Sequence, residues 1–75
     1  MNELQAKLHA EMERITEGKV QIEDSFPVSE LDSLTRAEVI LAVQEVYGFE
    51  LSNEEILKVK TYGDLKNAIG ERLLK

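Results

Sequence analysis

The 75-residue chain is predicted to fold as an all-α domain of four helices, the third one short, with a long ordered loop between the first two. Three observations predict this. Apolar residues recur at steps of three and four in separate stretches, helix-capping side chains open the later stretches, and no segment carries a strand pattern. Chains below about 100 residues seldom divide into two cores, so residues 1–75 are read as a single domain. There is no cysteine, which removes disulfide staples and thiolate metal sites and leaves helix packing to supply the core.

The first helix is read from Leu4, Leu8, Met12 and Ile15, spaced four, four and three apart with Glu3, Lys7, Glu11, Glu13 and Arg14 between them. Gly18 follows where a left-handed cap belongs. From Glu17 to Asp32 no period persists and Pro27 breaks any helix. A connection this long is uncommon in a small domain, and Ile22, Phe26, Val28 and Leu31 are expected to pin it to the core.

The second helix is predicted over Ser33 to Tyr47, ended by Gly48. Two start signals compete: Asp32 as cap with Ser33 as first helical residue, or the capping box of Thr35 and Glu38. Either leaves Ser33 exposed at the helix mouth. Leu34, Ala37, Val39, Ile40, Leu41, Val43, Val46 and Tyr47 cover more than one face, the pattern of a central helix touched from several sides.

A third, short helix follows over Asn53 to Lys58, with Ser52 and Glu55 as capping box and Leu51 stapled to Ile56. Losing the Ser52 cap should cost about 1 kcal/mol. Thr61 and Asp64 open the last helix, which is expected to turn Leu65, Ala68, Ile69 and Leu73 inward. Gly70 inside it costs about 1 kcal/mol relative to alanine and is read as an allowance for close packing.

A formal net charge of -6, from 15 acids against 9 lysines and arginines, repels nucleic acid and anionic membranes and favours basic protein partners. The apolar run Val39 to Val43 falls far short of the about 20 residues that span a bilayer, and the N-terminus shows no basic, apolar signal pattern. A soluble monomer without membrane insertion is expected, cytoplasmic or in an organelle lumen, with the cytoplasm as the expected compartment.

Several chemistries are excluded. A nucleophilic serine needs a base and an orienting group, and the single imidazole, His9, falls on the side of the first helix read as solvated. Glu50, Glu54 and Glu55 lack the twelve-residue ligand spacing of a calcium loop and are read as a solvated acidic helix start, with no metal site. Neither GxxxxGK[ST] nor GxGxxG occurs. Ser33 is left with two readings, a helix cap or a point of attachment. A phosphodiester there would face the free N–H groups of a helix's first turn, with Asp32 opposing it by like charge.

The long loop, LDSL at the mouth of a helix, EVILAVQEVYGFEL, then NEE and KVKTYGDLKNAI resemble the acyl carrier protein family in order and spacing, over residues 3 to 74. The resemblance implies a four-helix bundle with a short third helix. It implies a chain that is no enzyme itself but bears 4'-phosphopantetheine on Ser33, donated by coenzyme A through a phosphopantetheinyl transferase that uses magnesium. The thiol of that arm would hold acyl groups for partner enzymes with basic docking patches. By the same analogy Asp32 helps the transferase, and Asp32, Leu34, Glu38, Leu41 and Glu45 meet partners. The core residues Val39, Ile40, Val43, Val46, Ile56, Leu57, Val59 and Ile69 are expected to part for an alkyl chain, each buried methylene being worth about 0.8 kcal/mol.

Departures from the family pattern point to a specialised carrier for a dedicated fatty-acid, lipid or polyketide pathway. Glu30 stands where glycine is frequent, Thr35 and Arg36 where acids follow the leucine, and Gln44 and Val46 where glutamates are frequent. The docking helix is thereby expected to be less acidic and to carry a cation. An aminoacyl carrier of the D-alanyl type would share fold and modification. An unmodified acidic helical adaptor, with Ser33 only a cap, is the alternative of another class.

Overall fold

Leu8 and Met12, one turn apart on the first helix, are completely buried, and the fold is organised around them. The computed structural model describes residues 3–74. It consists of α1 (Glu3–Ile15), a 3-10 turn (Val28–Glu30), α2 (Ser33–Tyr47), α3 (Asn53–Lys58) and α4 (Tyr62–Leu73), with no strand among the described residues. Helix α1 packs along α2, and α3 packs on α4. Val39, Ala42 and Val43 of α2 and Tyr62, Leu65 and Ile69 of α4 complete the helical part of the core. Deleting a fully buried side chain such as Leu8 typically costs 2–5 kcal/mol, because a cavity is left as well as lost transfer energy.

Each helix end follows from a local side chain. After α1, Glu17 and Gly18 both turn left-handed (φ 59° and 69°), and the Gly18 N–H closes on the Glu13 carbonyl at 2.9 Å. Gly48, at φ 83°, ends α2 and donates to the Gln44 carbonyl at 2.8 Å. In α3 the Ser52 hydroxyl accepts from the Glu55 N–H (3.2 Å) while the Glu55 carboxylate accepts from the Ser52 N–H (2.9 Å). Glu55 also pairs with Arg72 at 2.9 Å, and that guanidinium lies over the Phe49 ring, tying α3 to α4. Leu51 is buried and Ile56 packs on the core, as the staple requires.

The loop is ordered by more than the expected anchors. Ile22 and Val28 are in the core, and Phe26 and Leu31 pack against it. Beyond these, the first-turn N–H groups of α4 find their acceptors in the loop: Tyr62 donates to the Phe26 carbonyl and Gly63 to the Asp24 carbonyl, both at 2.9 Å. A Cβ at Gly63 would lie 3.2 Å from that Asp24 oxygen, so glycine permits the approach. Ser29 N–H donates to the Lys60 carbonyl at 3.0 Å, and Lys66 pairs with Asp24 at 2.6 Å.

Four expectations are corrected. His9 is not a free solvated side chain: its Nε2 bonds the Ile22 carbonyl at 3.1 Å, holding the loop to α1. Helix α2 meets α1 and shares a cavity wall with the 3-10 turn, α3 and α4, but Leu34, Ala37 and Leu41, counted among its apolar faces, are exposed. Leu73 is 54 % exposed instead of inward, because the last turn of α4 runs on past Ile69, its last core residue. At Gly70 an added Cβ would meet nothing within 4 Å, so no close packing demands glycine there.

The last observation gives a direct test. Gly70→Ala should stabilise the fold by about 1 kcal/mol, a rise in Tm of about 4–8 °C for a domain of this size, read by a circular-dichroism melt.

Candidate functional site

Asp32 and Ser33 stand at the junction of the 3-10 turn and α2, and their roles divide cleanly. Asp32 has extended backbone (φ -67°, ψ 167°), and its carboxylate accepts from the Thr35 N–H at 2.7 Å. It is the cap, and the Arg36 N–H donating to its carbonyl at 2.9 Å is the first helical hydrogen bond. The box of Thr35 and Glu38 therefore does not start the helix. Ser33 is the first helical residue, exposed, with no capping duty. The N–H groups of Ser33 and Leu34 precede that first helical bond and lie at the positive end of a 15-residue helix. The Thr35 N–H also holds the Asp32 carboxyl below its ordinary value of 3.8.

Arg36, one turn after Ser33, has its guanidinium bonded to the loop. Its Nη2 donates to the Ser29 carbonyl at 2.9 Å and to the Leu31 carbonyl at 3.2 Å, fastening the 3-10 turn to α2. Behind it lies an apolar cavity of about 20 Å³, walled by Val28 of the turn, Val39 and Ile40 of α2, Leu51, Ile56 of α3, Val59 and Leu65 of α4. Arg36 supplies the one polar side chain in that wall. Leu57, expected among the residues that part for a chain, is instead 79 % exposed. In a six-residue helix only part of one turn can face the core, and Ile56 occupies it.

Leu34, Glu38, Leu41 and Glu45 succeed one another at steps of four, three and four, which puts them on one face of α2. All are exposed, Leu34 to 72 % and Leu41 to 53 %. The acidic character of this face reaches α1: Arg14, raised above its usual value first by its hydrogen bond to Glu11, is raised further by Glu38 and Glu45. Sequence reasoning named these four as partner contacts by analogy and also listed both leucines among the apolar positions of a central helix. The fold shows that neither leucine belongs to the core.

Residues 2–69 match the family model described as a phosphopantetheine attachment site. The chain belongs to the acyl carrier protein family. A curated relative named acyl carrier protein, from Coprothermobacter proteolyticus, is 31 % identical over 75 aligned residues, covering 89 % of this chain and 92 % of the relative. No solved structure matches the chain. Membership brings a covalently attached 4'-phosphopantetheine and the role of an acyl carrier. It also brings the general partners of such carriers, a phosphopantetheinyl transferase and acyl-processing enzymes. The geometry at the mouth of α2 fits such a group. An exposed hydroxyl free of capping duty stands beside first-turn N–H groups able to face a phosphodiester. No helix among the described residues is long and apolar enough to cross a membrane.

The lowered Asp32 pKa has a defined consequence for this carrier. A carboxyl depressed on folding stabilises the fold above its unfolded pKa, and the contribution disappears as pH falls through the folded value. The difference in Tm between wild type and Asp32→Asn, which keeps the cap but not the charge, should be present at pH 7 and close below pH 3.8. Melts at stepwise lower pH check it.

Proposed function

We propose that Ser33 is the attachment residue of 4'-phosphopantetheine in this carrier. One observation supports the reading above others: Asp32 caps α2, so the cap explanation for a serine at this position lapses and its hydroxyl stands free in solvent. Bound there, the group supplies a terminal thiol that holds acyl cargo as a thioester. The protein's own part is to hold the serine outward, to offer N–H groups and helix polarity to the phosphate, and to present Asp32 beside it. Chemistry on the cargo falls to partner enzymes, and a cytoplasmic monomer suits that division of labour.

The stripe of Leu34, Glu38, Leu41 and Glu45 is the proposed docking face, with the leucines as apolar contacts and the carboxylates attracting basic enzymes. Its charge bears on the proposal of a dedicated pathway. Thr35, Gln44 and Val46 leave the helix short of carboxylates, and Arg36 adds a positive charge whose acceptors, the Ser29 and Leu31 carbonyls, are neutral. Discrimination against enzymes of general fatty acid synthesis would thus rest on missing negative charge and on the added cation.

Two measurements test these assignments. Incubation with a broad-specificity transferase, coenzyme A and magnesium should add one phosphopantetheine by intact mass, and Ser33→Ala should abolish the adduct although Ser25, Ser29 and Ser52 remain. An adduct on the Ser33→Ala variant would overturn the assignment. Charge reversal by Glu38→Lys with Glu45→Lys should lower kcat/KM with an acyl-transferring partner by about tenfold or more without lowering Tm, because steering by surface charge acts on encounter. An unchanged kcat/KM would remove the docking face.

A further inference from the structure

Arg36, which lines the apolar cavity, carries a polar flaw. The Nε–H of Arg36 is buried and has no hydrogen-bond partner. The Nη2 of the same guanidinium is engaged by the Ser29 and Leu31 carbonyls, which holds the group in place. A buried donor left unsatisfied is costly, and such an atom in a native fold calls for an explanation. A cavity of about 20 Å³ can hold one water, yet a water needs two or more polar partners and the other lining side chains are aliphatic.

The placement along α2 ties this donor to the carrier's cargo. Ser33, Arg36 and Ile40 follow at steps of three and four, so they share one face, and Arg36 and Ile40 line the cavity. We propose that Arg36 is a specificity-determining residue that favours an acyl chain bearing a keto oxygen over a plain alkyl chain or one bearing a hydroxyl. The chemistry is a matter of counting donors. An alkyl chain leaves the Nε–H unpaired. A hydroxyl pairs with it but brings a donor of its own into a wall whose side chains offer no acceptor. A keto oxygen accepts and donates nothing, so it alone leaves both partners satisfied. The inference rests on the reading of Ser33 as the attachment residue and deepens it by naming the class of cargo.

The test loads the holo protein with hydrolysis-resistant hexanoyl, 3-oxohexanoyl and 3-hydroxyhexanoyl pantetheine analogues and compares melts. In wild type the oxo form should melt about 4–8 °C above the hexanoyl form, the shift a single net hydrogen bond gives in a domain of this size, with the hydroxy form below the oxo form. Arg36→Met, which keeps an apolar stem and removes the donor, should reverse the order of oxo and hexanoyl. Because Arg36→Met also loses the bonds to the 3-10 turn, the Arg36 Nε–H resonance of the wild type is followed as well. It should move with oxo cargo and stay in place with hexanoyl cargo. Equal melts for the three wild-type forms, or an Nε–H resonance indifferent to the oxo group, would overturn the inference alone. Absence of any adduct at Ser33 would overturn the attachment reading and the inference with it.

Discussion

The constraint on which the site depends is the seating of the loop on the first turn of α4. Ordering each residue of such a loop costs about 1–2 kcal/mol in backbone entropy, and four buried or half-buried side chains offset only part of it. The remainder comes from the polar groups. The first N–H groups of α4 would otherwise face solvent, and the Phe26 and Asp24 carbonyls would otherwise need water; each satisfies the other. His9 at Ile22 and Lys66 at Asp24 hold the same stretch from α1 and α4. A loop fixed this way can serve as a wall of the core.

Ser29 carries that order to the functional end. Its N–H donates to Lys60, just ahead of α4, and its carbonyl accepts from Arg36 on α2. One residue therefore joins the segment before α4 to the helix that bears Ser33, through the 3-10 turn. The direction in which Asp32 leaves that turn is set by these bonds, and so is the start of α2. Arg36 is thus a cation of the proposed docking helix that also fastens the turn. Its Nη2 serves the loop while its Nε is buried without a partner, so holding the turn and the proposed grading of cargo stem from one side-chain placement.

How legible all this was in the sequence depended on how local each cause is. The boxes of Ser52 with Glu55 and Thr61 with Asp64 act within four residues, and α3 begins and ends as its pattern required. At α2 two equally local signals competed. The choice of Asp32 over Thr35 follows from the turn that delivers Asp32, which no window of a few residues contains. The burial of Tyr62 escaped notice for the same reason: its ring packs where the loop and His9 meet α4, across residues far apart in the chain. Burial also pushes its phenol up to about 12. Apolar pattern misled where an apolar residue is left exposed, at Leu34, Ala37, Leu41, Leu57 and Leu73.

Those exposed leucines bear on how strongly the carrier can hold a partner. A stable specific interface buries about 800 Å² on each side around a well-packed centre. The proposed docking stripe is one helix face with two leucines separated and flanked by carboxylates, which is too narrow for that. Its apolar part resembles the scattered surface hydrophobes any soluble fold tolerates, and its charged part acts mainly on how fast partners meet. Fast encounter with a small apolar contact yields complexes that form readily and release readily. A chain that must pass one cargo among several enzymes needs that balance. A broader apolar face would retain the first partner it met, and a face without carboxylates would meet each one slowly.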